Sequence, residues 1–250
     1  MKNSLVIILC LLSVSSFSQK QINVSQSTAG VKSVVMDFKY PELIVITTWD
    51  KDEIVISGKS NINNGENDEA FKLNIEKEGD QLTIRSEIEN LEDLPKRIMI
   101  KRNGEKYYFD TDDFHDPKIK AFLEEKGGGH QYQMHGVIKE ITLEIKVPKT
   151  IFLDVRAKYG LVEIKNVLNA LVVDAKYGGI DISLQTNSPR DIVAKTKHGE
   201  MFSDLDMQIN PKESEHNQYY KWTSISAKLS GGGPKCSLES KYGNIYIRKL

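Results

Sequence analysis

The sequence predicts an all-β protein. We expect a single-stranded right-handed β-helix (β-solenoid) with an N-terminal β-strand region and a charged insertion that contains one short helix. Three observations predict this class: copies of a Lys-Tyr-Gly motif recur, apolar residues alternate with polar ones around them, and one charged stretch interrupts the alternation. A period of two residues indicates strands, and self-similarity at a short, fixed period indicates stacked coils.

The same patterns divide the 250 residues into four segments. We expect a signal peptide over 1–18, an N-terminal β region over 19–88, the charged insertion over 89–136 and the β-solenoid repeats over 137–250.

The first segment resembles a secretory signal peptide. Lys2 supplies a positive charge before the apolar run Leu5–Val14, which is too short for a membrane-spanning helix of about 20 residues. Ser16 and Ser18 are the small residues that precede cleavage, expected before Gln19. This predicts an exported protein in the periplasm, at the cell surface or outside the cell, and no later segment is apolar enough to span a membrane.

Cysteine content and charge limit the remaining possibilities. Cys10 lies in the apolar run without the small residues expected before a lipidated cysteine, and its removal leaves only Cys236. Packing and hydrogen bonds, without an internal disulfide, must then hold the fold. The formal net charge of −1 argues against a nucleic acid partner, which favours a strongly basic domain.

The N-terminal region predicts strands and two hairpins. Residues 31–58 run apolar or alternate between turn residues, with a hairpin expected around 50–52. A second hairpin is expected over 71–88, turning at 78–80. Its inward residues should be Leu73, Ile75, Leu82 and Ile84.

The insertion is charged and irregular apart from one helix. Asp116 is a capping residue, Pro117 suits the first helical turn, and Gly127 would end the helix. Strands resume with alternating apolar residues over 141–147, and a second loop, 207–222, interrupts the repeats.

Four repeat copies align on their glycine. Each has a small residue, a lysine, an aromatic residue or histidine, and the glycine. The copies are Ala157–Gly160, Ala175–Gly178, Thr196–Gly199 and Ser240–Gly243, with a degraded fifth copy at Ser226–Gly233. The first two are eighteen residues apart. We expect the small residue to point inward and the glycine to adopt a backbone conformation that other residues resist.

The lysine and aromatic positions are the candidate ligand-binding residues. They are Lys158, Tyr159, Lys176, Tyr177, Lys197, His198, Lys241 and Tyr242. Stacking of the rings from coil to coil accounts for the aromatic residues by itself. Lysines in adjacent coils would repel one another by about 1 kcal/mol per pair in water, unless splayed stems, neighbouring acids or an anionic partner offset this. The lysines form either a solvated face or a basic stripe that engages acidic glycans or lipid headgroups.

No catalytic or metal-binding motif is present. The sequence lacks a G-x-S-x-G elbow, an H-E-x-x-H motif and a glycine-rich phosphate loop. His130 and His135 lack the further ligands of a zinc site, so we predict neither a metal nor a cofactor. Glu163 and Asp181 would point outward from neighbouring coils, but aromatic residues fill that position in other copies, which favours a solvated face over a glycosidase pair.

Two segments carry a resemblance to a known family. The stretches "ELIVITTWDKDEIVISGK" and "VPKTIFLDVRAKYGLVEI", with the signal peptide and the glycine-marked repeats, resemble the putative adhesin family of bacterial envelope proteins. That family is a domain of unknown function with β-solenoid repeats. The resemblance covers most of the mature chain, implies this fold and an adhesin-like role, and brings no catalytic residues.

The sequence thus predicts an exported, non-enzymatic, adhesin-like protein that binds or scaffolds at the cell envelope, with acidic glycans or other envelope components as partners. Two alternatives stay open. A polysaccharide lyase or hydrolase on a β-helix would need a cleft with paired carboxylates. An envelope sensing or assembly protein would need no glycan contact.

Overall fold

The computed structural model describes residues 20–126, 132–217 and 222–250, and strands dominate these ranges. The signal peptide predicted at 1–18 lies outside the described residues. The strands are β1 (Lys20–Ser27), β2 (Ser33–Phe38), β3 (Leu43–Trp49), β4 (Glu53–Ile62), β5 (Phe71–Glu78), β6 (Gln81–Ile88), β7 (Arg97–Arg102), β8 (Glu105–Phe109), β9 (Tyr132–Gly136), β10 (Lys139–Pro148), β11 (Phe152–Ala157), β12 (Leu161–Lys165), β13 (Leu171–Ala175), β14 (Ile180–Leu184), β15 (Arg190–Thr196), β16 (Met201–Ser203), β17 (Gln208–Ile209), β18 (Glu215–Asn217), β19 (Trp222–Leu229), β20 (Lys235–Ser240) and β21 (Ile245–Lys249). A 3-10 turn, Asp68–Ala70, and one α-helix, α1 (Pro117–Lys126), complete the elements of these ranges.

Two large sheets and one small sheet contain these strands. Sheet A has the order β1-β4-β10-β3-β12-β14-β21-β16, and sheet B has the order β17-β19-β15-β20-β13-β11-β2-β6-β5, with β18 beside β19. Buried apolar residues of both sheets, such as Val162 in sheet A and Val155 in sheet B, belong to one continuous core. The two large sheets therefore pack face to face.

Parallel coils alternate between the two large sheets. Strands β11, β13 and β20 lie in sheet B, and each is followed by its partner in sheet A, β12, β14 or β21. Strands β2 and β3 form an equivalent coil beside β11 and β12. The register keeps equivalent residues in line, since Ile180 pairs with Val162 on one side and with Ile245 on the other.

The coils do not stack in sequence order. The last coil, β20 and β21, lies between the coil of β13 and β14 and the coil of β15 and β16. Antiparallel pairs also occur in both large sheets, at β4 with β10 and at β15 with β19. The all-β class with one short helix is confirmed for the described ranges, but the sheets are mixed, and a single-stranded right-handed β-helix is not confirmed.

One predicted hairpin is wrong and the other is confirmed. Strands β3 and β4 flank the turn at 50–52, yet β10 lies between them, parallel to β3 and antiparallel to β4. Strand β10 takes this central place because its alternating apolar residues, including Ile141 and Leu143, are fully buried. Strands β5 and β6 do form the second hairpin, where Glu78 faces Gln81 and Gly79 has a positive φ of 60°. Its inward residues Leu82 and Ile84 are fully buried.

The degraded fifth repeat copy is also wrong. Residues 226–229 end β19, which runs antiparallel to β15 and forms no coil. Its buried residues Ala227 and Leu229 produce the alternation that mimics a copy. The predicted loop 207–222 contains β17 and β18, which both pair with β19, and residues 218–221 of it lie outside the described ranges.

The charged insertion is more regular than its sequence suggests. Strands β8, β7 and β9 form the small sheet, and α1 packs on it through a separate core centred on Ile98, Ile100 and Ile119. Strand β7 escapes prediction because its first four residues are all buried and do not alternate. The Asp116 carboxylate accepts a hydrogen bond from the Lys118 N–H at 2.8 Å, which confirms the cap, whereas Gly127 lies outside the described residues. In the described ranges no helix is long and apolar enough to cross a membrane.

A buried asparagine ties the insertion to the large sheets. The Asn63 side chain donates to the Pro95 carbonyl at 2.9 Å, and its oxygen accepts from the Ile138 N–H at 3.0 Å. Arg97 donates to the Asn63 carbonyl at 2.7 Å and lies 2.5 Å from the Glu66 carboxylate. Both ends of the insertion are therefore fixed beside β4 and β10, close to the turn of the first coil.

Candidate ligand-binding stripe

The structure adds a fifth pair, a lysine and a tyrosine, to the three lysine–tyrosine pairs and one lysine–histidine pair that the sequence predicts. Ala157 of β11 pairs with Phe38 of β2, and the Lys158 N–H donates to the Phe38 carbonyl at 2.8 Å. Lys39 and Tyr40 therefore occupy the positions of Lys158 and Tyr159. In spatial order the pairs are Lys39 and Tyr40, Lys158 and Tyr159, Lys176 and Tyr177, Lys241 and Tyr242, and Lys197 and His198. We call this row the Lys-Tyr stripe.

Close approach between coils explains the repeated glycine. A Cβ atom on Gly178 would lie 1.9 Å from the Gly160 carbonyl oxygen, and one on Gly160 would lie 2.3 Å from the Pro41 carbonyl oxygen. Gly243 and Gly199 meet the carbonyl of the adjacent coil in the same way, at 2.2 and 2.1 Å. The expectation of an unusual backbone conformation is wrong, because none of these four glycines has a positive φ. Pro41 belongs to the first coil of the row and needs no such clearance.

The small residue of each copy points inward, as predicted. The four are buried: Ala157, Ala175, Thr196 and Ser240. The Ser240 hydroxyl accepts from the Gly243 N–H at 2.9 Å and donates to the Gly178 carbonyl at 2.9 Å. The Thr196 hydroxyl donates to the Gly243 carbonyl at 3.1 Å. These hydroxyls join the last coil to both of its neighbours.

The aromatic residues form the expected ladder, in spatial rather than sequence order. The ring centroids of Tyr159 and Tyr177 are 5.3 Å apart, those of Tyr177 and Tyr242 5.1 Å, and those of Tyr242 and His198 5.0 Å. The planes lie within 15° of parallel. Each inner ring stacks with one ring on either side. Tyr159, at one end, is 54% exposed.

Three stripe lysines lie over the ring of their own copy. Their Nζ atoms are 4.9 Å (Lys158), 5.3 Å (Lys176) and 5.3 Å (Lys241) from the tyrosine centroids, within the range of a cation–π contact. A hydrogen bond with the Tyr159 side chain raises the pKa of Lys158 and keeps it charged. These contacts hold each stem beside its own ring.

The stripe lysines carry unpaired charge. In the described ranges, none of the five forms an ion pair with a carboxylate. Asp174 and Glu239 do occupy the neighbouring outward row, two residues before Lys176 and Lys241. Burial raises the pKa of Asp174, and the charge of Lys176 opposes that shift. That row is mixed, since it reads Asp37, Arg156, Asp174, Glu239 and Lys195 in spatial order, so acids border the centre of the stripe.

The paired carboxylates lie on a different face. Glu163 of β12 and Asp181 of β14 are register neighbours on the outer side of sheet A. Arg248 binds Asp181, its Nε lying 2.9 Å from each carboxylate oxygen, and also covers the ring of Tyr246. The two carboxylates thus lie side by side on one face of sheet A, and Asp181 forms an ion pair with Arg248.

The remaining candidate reactive groups are the thiol of Cys236 and the histidine side chains. Burial raises the pKa of Cys236 to about 12, so its thiol stays protonated and unreactive near neutral pH. His135 lies near the Phe114 ring at 5.9 Å, and His130 is outside the described residues. In the ranges that the structure describes, no three His, Cys, Asp or Glu side chains converge as metal ligands.

Comparison with known proteins gives distant structural likenesses. No family model matches this chain, and no curated protein does. A putative cell adhesion protein from Clostridium sporogenes is 11% identical, with a TM-score of 0.48, over 93% of this chain and 100% of that one. A putative adhesin from Bacteroides fragilis is 11% identical, with a TM-score of 0.30, over 93% of this chain and 98% of that one. Likenesses this distant carry no functional argument, and membership of the putative adhesin family stays a prediction.

Proposed function

We propose that this protein is an exported, non-enzymatic, adhesin-like protein that binds acidic polysaccharide at the cell envelope through the Lys-Tyr stripe. The observation that carries the proposal is the row of five lysines in adjacent coils without a carboxylate partner in the described ranges. We further propose that the five coils are a short β-solenoid, right-handed as parallel crossover connections almost always are.

The repeat of the stripe suits a polymer. The rings recur at 5.0 to 5.3 Å, so an extended anionic chain can meet one ammonium after another. Each exposed charge contact is weak, worth about 0 to 1 kcal/mol, but several contacts along one chain act together. The tyrosine hydroxyls at the ring edges can donate to and accept from sugar hydroxyls.

The acids beside the centre of the stripe favour a polymer strand over a membrane. Asp174 and Glu239 run beside Lys176 and Lys241, so a broad anionic lipid surface would approach acids and lysines together. Membrane-surface binding relies on clustered basic residues or a wide apolar face. A single polysaccharide strand can instead follow the lysine row and avoid the acids.

The carboxylate pair considered for the enzyme alternative, Glu163 and Asp181, lacks the required geometry. Glycoside hydrolysis needs two carboxyl groups on opposite sides of the scissile bond. Glu163 and Asp181 are adjacent on one sheet face, and Arg248 occupies Asp181. The side-by-side arrangement therefore favours binding without catalysis.

A direct binding measurement tests the proposal. The mature chain from Gln19 would be titrated against polygalacturonate, with neutral dextran as the control polymer, at 50 and 300 mM salt. We expect binding to polygalacturonate that weakens at the higher salt concentration, because salt screens exposed charges. The proposal would be overturned if dextran bound as tightly as polygalacturonate. It would also be overturned if neither polygalacturonate nor a sulfated polysaccharide bound.

A further inference from the structure

The aromatic ladder has an open end at Tyr159. Register places Tyr40 of the first coil where the next ring of the ladder would lie. Tyr40 is half-buried and packs against the main core, and in the described ranges no ring stacks on the second face of Tyr159. Tyr159 therefore has a stacked ring on one side only, and the Lys158 Nζ lies over its ring at 4.9 Å from the centroid.

A cleft lies at this open end. It has a volume of about 620 Å³, within the range of about 300 to 1,000 Å³ typical of small-molecule sites. The turns of the first two coils form one side, with Tyr40 and Tyr159. Leu91, Met134 and Val137, at the two ends of the insertion, form the other side. The insertion thus builds a wall that the coils alone would not have.

The charged groups of the cleft are mainly cationic. Lys39, Lys139 and Lys158 line it, and Glu42 is the carboxylate among its lining residues. Burial lowers the pKa of Lys139, whose Nζ donates to the Val137 carbonyl at 2.7 Å and keeps further donors free. Desolvation by the surrounding packing and the negative charge of Glu140 raise the pKa of Glu42.

We propose that this cleft binds one terminal uronic acid unit of an acidic polysaccharide, with the sugar ring stacked on the side of Tyr159 that has no stacked ring and the carboxylate held by Lys139 and Lys158. A uronate has an apolar C–H face for the tyrosine and a carboxylate for the ammonium groups. The apolar wall of Leu91, Met134 and Val137 covers the other side of the sugar. This inference rests on the proposed function and deepens it, since the cleft takes the chain end and the stripe takes the units behind it.

A short ligand distinguishes binding in the cleft from binding along the stripe. Digalacturonate, a uronate disaccharide, would be titrated calorimetrically into the wild-type chain, with the neutral disaccharide lactose as control. Two variants change the cleft: Met134→Trp fills it, and Lys139→Gln removes a cation but keeps a donor. Lys212→Gln is the matched control, since Lys212 is exposed and lies outside both the cleft and the stripe. Thermal melts would check folding, and Lys139→Gln carries the test if Met134→Trp proves unstable.

We expect digalacturonate but not lactose to bind, and both cleft variants to weaken binding about tenfold or more, the effect of losing one charge-assisted contact. Lys212→Gln should bind within about twofold of wild type. Wild-type chain that binds polygalacturonate but not digalacturonate would overturn the cleft inference and leave the proposed function standing. Equal losses in Lys139→Gln and Lys212→Gln would attribute the binding to overall charge and also overturn it. Failure of both ligands would overturn both proposals.

Discussion

A Cβ atom on Gly178 would lie only 1.9 Å from the carbonyl oxygen of Gly160. The same relationship links each later glycine of the row to the coil next to it. Real Cβ contacts do not reach this distance, and the obstructing atom is backbone, which cannot swing aside. The glycine that marks each repeat is thus a requirement of coil-to-coil packing, and it places the Lys-Tyr pairs in register.

We expect Gly178→Ala to destabilise the protein by about 3 kcal/mol or more, because the added methyl group forces two backbones apart. Gly179→Ala is the matched control: its Cβ would meet the nearest atom at 2.9 Å, so a smaller loss is expected. Urea unfolding followed by circular dichroism measures both. Equal stabilities of the two variants would refute the close-approach explanation.

The Ser240 hydroxyl offers a test of the position of the last coil. In Ser240→Ala, the Gly178 carbonyl and the Gly243 N–H lose their partner inside the protein, and an unsatisfied buried group costs about 1 to 3 kcal/mol. Ser237→Ala, on the outward side of the same strand, should change the free energy of unfolding by about 0.5 kcal/mol or less. If chemical denaturation gives the two variants the same stability, the Ser240 bridge between coils is not formed in solution.

Cys236 predicts a loss of stability at alkaline pH. Its pKa is raised from 9.0 to about 12 in the folded protein, so the unfolded thiol ionises first as pH rises. The stabilising effect is complete below pH 9 and is lost between about pH 9 and 12, and the loss at pH 10 is on the order of 1 kcal/mol.

The comparison with Cys236→Ala isolates this effect from the titration of lysines and tyrosines. The free-energy difference between wild type and variant should shrink by about 1 kcal/mol from pH 8 to pH 10. A difference that stays constant over this range would show that the thiol is not shielded from water.

Local patterns predicted the elements, and distant pairings decided their arrangement. The repeat was visible because the close approach demands a glycine in every coil that has a neighbour on that side. The copy with Lys39 and Tyr40 was missed because Pro41, in the first coil of the row, faces no such neighbour. The sequence could not place β10 between β3 and β4, since the insertion separates them along the chain.

The order of the coils was also beyond prediction. Every coil offers its neighbours a similar parallel edge and a similar apolar interior, so pattern alone favours sequence order. The Ser240 hydroxyl donates to the Gly178 carbonyl of one neighbouring coil. The Thr196 hydroxyl donates to the Gly243 carbonyl of the last coil, so the two hydroxyls identify which coils are neighbours. A serine or threonine in a small buried position, where other copies have alanine, was the available signal. The cleft beside Tyr159 had no local signal, because it forms between the first two coils and the insertion.

The central claim is that the Lys-Tyr stripe binds acidic polysaccharide, and the most direct test removes its charge. The structure identifies Lys158, Lys176 and Lys241 as consecutive along the stripe. Their combined change to Gln removes three positive charges and leaves the buried core untouched. The matched control changes three exposed lysines elsewhere to Gln: Lys96, Lys118 and Lys212.

Binding to polygalacturonate would be measured for both triple variants and the wild type at several salt concentrations. We expect the stripe variant to bind about tenfold or more weakly and with a shallower salt dependence, and the control to match the wild type within about twofold. If the two triple variants lose affinity equally, the binding reflects overall charge, and the account of the stripe as the binding surface is contradicted.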